Sequence, residues 1–256
     1  MSDLTVVKIG GSTLGSHDTA MEDLAALQAE GRPLVVVHGG GSAATDWLKI
    51  HGVASEFVDG LRVTGPDAID VVTAVFAGLV NKQLVAALQA LGARPFGLSG
   101  VDGGLLCTRQ LDARLGYVGE IAQVDRRPID TLLNAGYMPV ISSLGYWGDQ
   151  PGRLMNVNAD TVAGEVAAAL AAADLIFLTD VAHVRGAEGE ALSALKAADV
   201  EALIASGVAS GGMIPKLRAG ATAAQAGARC HIVDGREARA LRSVLDGAVS
   251  GTRITA

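Results

Sequence analysis

Short apolar runs alternate along the chain with longer segments in which apolar positions recur every three or four residues. A run of about four to eight Val, Ile and Leu residues is typical of a strand buried on both faces, as in a parallel sheet. The three-to-four-residue repeat predicts amphipathic helices between the strands. Together the two patterns predict an α/β protein, an αβα sandwich around a mainly parallel central sheet.

The predicted elements cover the chain from end to end. Strands are expected at residues 5–9, 33–38, 94–99, 137–144, 174–181, 230–234 and 251–255, with β-hairpins between 104 and 125. Helices are expected at residues 18–29, 42–50, on both sides of Gly78 from Pro66 onward, and at 158–173, 199–206, 215–226 and 237–245. A boundary near residue 172 would divide the chain into two lobes sharing one sheet, 1–172 and 173–256.

Composition narrows the class of protein. Half of the 256 residues are apolar, which is enough for a large core. The formal charge of −7 argues against nucleic-acid binding, which usually needs a basic surface. Cys107 and Cys230 have no metal-site spacing and are expected to be separate buried thiols, with one disulfide as the alternative. The chain has neither a signal-like N-terminus nor an uncharged run of membrane-spanning length, so we expect a cytoplasmic protein.

Lys8 is an unusual residue for the strand that contains it. It lies among apolar residues and is followed by Gly10 and Gly11. Burying an ammonium group is costly unless it meets an anion, so this arrangement indicates an anion site. The alternative is a lysine whose stem packs on the surface while its charge reaches solvent.

A second glycine loop, Gly39–Gly41, connects a predicted strand directly to a predicted helix. Backbone N–H groups and a helix N-terminus then converge on one point, which favours anion binding. A turn without a ligand normally needs only one glycine. The loop also fits the weak dinucleotide pattern G-x-G-x-x-A, with Asp59 at the distance of a ribose-binding residue. Asp59 is followed by Gly60, however, and is therefore expected in a loop rather than at a strand end.

Polar residues at the start of the predicted helix 158–173 form another candidate group. Asn156, Asn158 and Asp160 alternate, and an extended segment would send all three side chains to one side. Helix capping would use one or two of them instead. Arg62 suits bidentate capture of a carboxylate, although a surface salt bridge is equally compatible with the sequence. Lys216 follows two glycines in the first turn of a helix, where a solvated lysine is the alternative.

Two lysines, two glycine loops and one carboxylate suit phosphoryl transfer from ATP to a carboxylate. Such an acceptor is already ionised, so the reaction needs positive charge and N–H dipoles but no general base. The sequence contains no G-x-S-x-G motif and no Cys/His nucleophile pattern, so hydrolase chemistry has little support.

Eleven segments in one order resemble the amino acid kinase family, within it the members that phosphorylate N-acetylglutamate. The resemblance covers essentially the whole chain and is specific as a set. The segments are VVKIGGSTL, LVVVHGGGSA, DGLRVT, GLVNKQLV, GLSGVDGGLL, GYVGEI, LLNAGYMPVISSLG, LMNVNADTVA, LIFLTDV, GGMIPKL and GTRI.

The resemblance implies a role for each matching position. Lys8 and Lys216 would stabilise the transferring phosphoryl group, and Asp160 would orient both. The lobe 1–172 would bind N-acetyl-L-glutamate and the lobe 173–256 would bind Mg-ATP. Residues implied for N-acetyl-L-glutamate are Gly40, Gly41, Arg62, Asn156 and Asn158; those implied for the nucleotide are Gly10, Gly11, Thr179, Asp180, His183, Arg185, Val208 and Ser210.

The resemblance also implies a product and an assembly. The product would be N-acetylglutamyl 5-phosphate, an acyl phosphate of arginine biosynthesis, with Mg²⁺ carried by ATP rather than by a protein site. His183 stands where the family usually has glycine, so nucleotide contacts there are expected to differ. Few residues precede the Lys8 strand, so a homodimer without an arginine-responsive hexamer is expected.

Two related functions remain as alternatives at this point. One is a kinase for carrier-protein-bound α-aminoadipate in lysine biosynthesis. The other is a non-catalytic nucleotide-binding member of the same fold. Retention of Lys8, Asp160 and Lys216 together argues against the second.

Overall fold

A computed structural model describes residues 3–10, 19–248 and 251–256. Its strands in chain order are β1 (Thr5–Ile9), β2 (Leu34–His38), β3 (Phe57–Val58), β4 (Leu61–Arg62), β5 (Pro95–Ser99), β6 (Leu106–Gln110), β7 (Val118–Val124), β8 (Met138–Ser142), β9 (Leu144–Trp147), β10 (Leu154–Val157), β11 (Asp174–Thr179), β12 (Val184–Arg185), β13 (Ala191–Leu192), β14 (Ala194–Lys196), β15 (Arg229–Asp234) and β16 (Thr252–Thr255).

The α-helices in chain order are α1 (Ala20–Ala29), α2 (Gly41–Ile50), α3 (Pro66–Thr73), α4 (Asn81–Ala90), α5 (Arg127–Asn134), α6 (Ala159–Leu170), α7 (Val200–Ala205), α8 (Met213–Gln225) and α9 (Ala240–Leu245). A π-helical segment, Ala74–Val80, joins α3 to α4 without a break. The helical turns predicted on each side of Gly78 are therefore joined through a change of helical pitch.

The central sheet has the strand order β14-β16-β15-β11-β1-β2-β8-β5. All pairs from β15 to β5 are parallel, while β16 runs antiparallel to β15. The prediction of a mainly parallel sheet is confirmed. Strand β1 lies between β11 and β2, so the strands before residue 172 and those after it belong to one continuous sheet.

Successive residues of β1 supply the two halves of the core. Val6 packs into the cluster formed with α6 and α8, and Val7 into the cluster formed with α1, α3 and α4. Side chains alternate across a strand, so an all-apolar strand buries both of its faces. This explains why strands such as β2 read as uninterrupted apolar runs and places helices on both faces.

The 25-residue helical segment Pro66–Ala90 is long and apolar enough, by length and composition alone, to cross a membrane. Its apolar side chains include Val72, Phe76 and Leu84, which are buried in the core. Asp70 and Lys82 interrupt its apolar sequence. Packing against the sheet accounts for the composition of this segment.

A smaller closed sheet of four strands, in the order β10-β7-β6-β9, lies beside the main one. The β6–β7 hairpin was expected from the sequence, whereas β9 and β10 were not. Strand β10 pairs with β7 in parallel and leads directly into α6. The small sheet thereby fixes the chain that carries the predicted polar group of residues 156–160.

Two expectations need correction, one on a helix start and one on the cysteines. Helix α9 begins at Ala240 and not at residue 237, because Arg239 just before it has a left-handed φ of 59°. Both cysteines are free, but only Cys230 is buried, while Cys107 is half-buried.

Candidate functional site

The carboxyl ends of β1, β2 and β8 meet the N-terminus of α6 at one crevice, as expected for a parallel sheet. The crevice contains a cavity of about 230 Å³. Its lining includes most of the residues assigned by sequence to catalysis and acceptor binding, namely Lys8, Gly40, Gly41, Arg62, Asn156, Asn158 and Asp160.

Two lysines share one carboxylate at the edge of this cavity. Lys8 Nζ and Lys216 Nζ each lie 2.9 Å from Oδ1 of Asp160. The Lys216 ammonium group also lies 5.0 Å from the centre of the Phe177 ring, a cation–π contact. Neither lysine is the solvated residue of the alternative interpretation, since 11% of the Lys8 side chain and 7% of the Lys216 side chain are exposed.

Opposing effects set the protonation of these groups. Burial would raise the pKa of Asp160, but Lys8 and Lys216 outweigh it and hold that pKa below its ordinary value. Burial lowers the pKa of Lys216, while Asp160 opposes this shift. With both lysines charged and the carboxylate ionised, the three groups carry a net formal charge of +1. A buried excess of positive charge favours an anion beside it.

The glycine loop presents backbone donors to the same crevice. Gly40 is the N-cap of α2 and Gly41 its first residue, so their N–H groups have no partner inside the helix. A Cβ on Gly40 would lie 2.6 Å from Phe76 Cδ1 and 3.4 Å from Val80 Cγ2. The π-helical segment therefore packs directly against the loop and leaves room only for glycine at position 40.

Arg62 lines the same cavity and is held there by hydrogen bonds to neutral oxygen atoms. Its Nη2 donates to the carbonyl of Gly41 at 2.8 Å and to Thr45 Oγ1 at 2.9 Å, and its Nη1 donates to Ser55 Oγ. The guanidinium carbon lies 4.6 Å from the Phe57 ring centre. Among the described residues Arg62 forms no ion pair, so the surface salt bridge considered from the sequence does not occur. Burial lowers its pKa, as expected for a cation without an anionic partner.

The polar group of residues 156–160 agrees with the capping alternative at one position and not with a fully extended segment. Asn156 lies in β10 and donates through Nδ2 to Thr64 Oγ1 at 2.9 Å. Asn158 is the N-cap of α6, and its Oδ1 accepts from the N–H groups of Asp160 and Thr161 at 2.8 and 3.1 Å. Asp160 lies inside the first helical turn, so one of the three side chains is a cap.

The residues assigned by sequence to the nucleotide lie outside the cavity lining. Thr179 ends β11, with its hydroxyl 3.2 Å from Asp180 Oδ1. His183 Nδ1 is buried without a partner among the described residues. Arg185 ends β12, Val208 and Ser210 lie in the loop before α8, and Gly10 follows β1. Gly11 lies outside the described residues.

Asp59 does not end a strand of the central sheet. It has φ 50° and, with Gly60 at φ 79°, forms the turn between β3 and β4. The expectation that it is a loop residue is met, and the dinucleotide pattern loses its ribose-binding position. This turn lies close to the loop before α8, because a Cβ on Gly60 would lie 2.8 Å from the backbone of Gly211.

Several residues of the crevice were not found from the sequence. Ser143 follows β8 and is fully buried at the cavity. It could have been found from the sequence, because the carboxyl ends of parallel strands meet at one edge of the sheet. Phe57 and Phe76 also line the cavity, but they appear as ordinary apolar residues in the sequence.

Comparison with known proteins identifies relatives over almost the entire chain. The sequence pattern that defines the amino acid kinase family matches residues 3–234. A Dehalococcoides mccartyi protein named acetylglutamate kinase is 43% identical, over 98% of this chain and 94% of the relative. A Geobacillus kaustophilus protein of the same name is 45% identical, over 87% of this chain and 86% of the relative.

The fold has a solved counterpart. The crystal structure of smu.665 from Streptococcus mutans UA159 is 32% identical and covers 100% of this chain and 99% of its own, with a TM-score of 0.85. The structure comparison therefore shows that a solved protein shares this fold over the whole length of the chain.

Proposed function

The chain belongs to the amino acid kinase family, and we propose that it transfers the γ-phosphoryl group of ATP to the side-chain carboxylate of N-acetyl-L-glutamate. The relatives named acetylglutamate kinase support this choice, because they match at 43–45% identity over most of the chain. The product would be N-acetylglutamyl 5-phosphate, an acyl phosphate of arginine biosynthesis made in the cytoplasm.

The observation that carries the proposal is the pair of lysines on Asp160 beside the glycine loop. In the transition state, negative charge spreads over the three equatorial oxygens of the transferring group. Lys8 and Lys216 supply the compensating charge, and the N–H groups of Gly40 and Gly41 supply dipoles. The acceptor carboxylate is ionised at neutral pH and needs no base, which agrees with a site built from cations and amides.

The acceptor would bind in the cavity under the β3–β4 hairpin. Arg62 is held by three neutral oxygens and keeps its charge available for a carboxylate of the acceptor. Asn156 and Asn158 line the same cavity and would contribute polar groups. We assign acceptor binding to the N-terminal lobe, residues 1–172.

The nucleotide would bind to the C-terminal lobe, residues 173–256. We assign it to the loops after β11 and before α8, with the glycines after β1 beside the γ-phosphate. Mg²⁺ would arrive on the ATP phosphates, since both lysines already occupy the Asp160 carboxylate that lines the crevice. When bound, it would neutralise phosphate charge.

A homodimer is proposed for the assembly. Strand β5 is the edge strand of the central sheet, and Phe96 on it is 45% exposed. An exposed edge with an apolar side chain is suited to pairing with a second copy. Light scattering on the purified protein gives the mass directly, and a monomer at micromolar concentration would contradict this assembly.

A hydroxylamine trap for acyl phosphates tests the function. Purified protein and Mg-ATP are incubated with N-acetylglutamate, glutamate, aspartate or α-aminoadipate, and samples without ATP serve as blanks. Hydroxamate is expected with N-acetylglutamate alone. Its formation with aminoadipate instead would favour a kinase of lysine biosynthesis. Its absence with every acid would overturn the proposed function in favour of a kinase that needs a carrier-bound acid or of a non-catalytic nucleotide-binding protein.

A further inference from the structure

His38 ends β2 directly before the glycine loop, and none of its surface is exposed. No role was assigned to it above, and it is not among the residues that line the cavity. Its two nitrogens have defined neighbours: Nδ1 is 2.7 Å from the carbonyl oxygen of Gly39, and Nε2 is 3.0 Å from Nδ2 of Asn81. These contacts determine which nitrogen carries the proton.

The orientation of the Asn81 amide follows from its other neighbours. One amide atom lies 2.9 Å from the carbonyl oxygen of Val140, which can only accept a hydrogen bond. The other lies 2.9 Å from Lys82 Nζ, which can only donate. The atom facing Val140 is therefore Nδ2, and the same Nδ2 faces His38.

The tautomer of His38 follows from that orientation. Asn81 Nδ2 is a donor, so His38 Nε2 must be the accepting, unprotonated nitrogen. Burial lowers the pKa of His38 to about 4, so the ring is neutral at pH 7. A neutral imidazole with a bare Nε2 carries its proton on Nδ1, and that proton is donated to the Gly39 carbonyl.

The bond to the Gly39 carbonyl also fixes the direction of the next N–H group. The described residues include no cis peptide bond. In a trans peptide the C=O and the following N–H point to opposite sides of the chain. When His38 holds the Gly39 oxygen on the buried side, the N–H of Gly40 points away from His38, toward the cavity that Gly40 lines.

A loop of consecutive glycines needs such a restraint. Glycine accepts both signs of φ at little cost, so the Gly39–Gly40 peptide has few steric barriers to a flip. A flipped peptide would present a carbonyl oxygen to the crevice in place of an N–H group. The site would then repel the anion that it is proposed to stabilise.

We propose that His38 is a positioning residue that locks the Gly39–Gly40 peptide through an Nδ1–H tautomer set by Asn81, so that the Gly40 N–H faces the phosphoryl group. The inference rests on the proposed phosphoryl transfer. It adds to that function a buried relay from Val140 through Asn81 and His38 to the loop.

The tautomer is tested without any substrate. Long-range ¹H–¹⁵N spectra of the full-length protein labelled with ¹⁵N-histidine at pH 7 should show His38 neutral with its proton on Nδ1, and the His38→Leu spectrum assigns the signal. A proton on Nε2 would overturn the inference and leave the proposed function standing. Conversely, absence of hydroxamate with the unaltered protein would overturn the function and leave the tautomer result standing.

Three substitutions test the consequence for catalysis. In His38→Asn the amide Nδ2 lies near the former Nδ1 and still donates to Gly39. In His38→Gln the amide reaches the former Nε2 position and does not. His38→Leu and His38→Gln should lower kcat on the order of 10²-fold, the usual effect of losing one transition-state donor.

His38→Asn should recover at least about tenfold of that loss, in line with the donor it restores. Circular dichroism and thermal unfolding of all three variants report their folding separately. Equal kcat values in folded Asn and Gln variants would show that the residue acts only in packing, and would overturn the proposal.

Discussion

Lys8 and Lys216 donate to the same atom, Oδ1 of Asp160, each over 2.9 Å. Lys8 belongs to the central strand β1, and Lys216 comes from α8, more than 200 residues later in the chain. One carboxylate therefore sets the positions of both cations, while its single charge neutralises only one of them. The residual charge is what distinguishes this group from an ordinary structural ion pair.

Substitution of Lys8 should affect turnover more than binding of the acceptor. In Lys8→Ala we expect kcat to fall by about 10²- to 10³-fold, because the lysine meets charge that develops in the transition state. The KM for N-acetylglutamate should change little. Steady-state kinetics give both values, with Lys49→Ala, an exposed lysine of α2, as the matched control. A large rise in KM with kcat intact would make Lys8 a ground-state ligand.

Removal of the shared carboxylate should cost stability as well as activity. In Asp160→Asn both lysines lose their counterion in a buried site, so the free energy of unfolding should fall by about 3–5 kcal/mol. Urea denaturation measures this, with the exposed Asp149→Asn as control. Adding Lys216→Met to Asp160→Asn removes one stranded charge and should restore part of the stability. No recovery in the double variant would argue against charge repulsion as the cause.

Arg62 should act on the affinity for the acceptor. Arg62→Ala should raise the KM for N-acetylglutamate at least tenfold with a smaller effect on the KM for ATP, because a charge-assisted bond contributes about 1.5–3 kcal/mol. Arg62→Lys should restore little, since one ammonium group cannot reach Gly41, Thr45 and Ser55 together. Full activity of the lysine variant would show that charge alone is sufficient.

Packing at Gly40 provides a steric test of the loop. Gly40→Ala places a Cβ 2.6 Å from Phe76 Cδ1 and should displace the loop, with loss of activity and about 1–3 kcal/mol of stability. Gly78→Ala in the π-helical segment meets nothing within 4 Å and is the matched control. Phe76→Leu should rescue Gly40→Ala in part if the clash is the cause. A Gly40→Ala protein with normal kinetics would contradict the tight packing.

The sequence predicted the parallel sheet well because its strands are buried on both faces and appear as plain apolar runs. It also located Lys8 and Gly39–Gly41, since charges and glycines are conspicuous among such residues. The sequence left the role of Asn158 open between a helix cap and a position in an extended segment, because the same spacing suits both. Pairs such as Asn81 with His38 depend on three-dimensional packing between a helix and a strand end, and no local pattern records them.

The burial of His38 makes the free energy of unfolding depend on pH in a defined window. The pKa of His38 is lowered by burial from 6.5 to about 4 in the folded protein. Between these values the unfolded chain binds a proton that the folded protein does not, so the free energy of unfolding should fall as the pH falls from about 6.5 to about 4. The full difference corresponds to roughly 3 kcal/mol from this one residue.

Other groups titrate in the same range, so the contribution of His38 is obtained by difference. Urea unfolding at pH 7, 6, 5 and 4 should show that the stability advantage of the unaltered protein over His38→Asn shrinks toward acid pH. The same substitution at an exposed histidine at the end of α2, His51→Asn, is the matched control. A difference for His38→Asn that stays constant from pH 7 to pH 4 would mean that the folded protein protonates this ring as readily as the unfolded chain. The neutral tautomer on which the orientation of the glycine loop depends would then be lost.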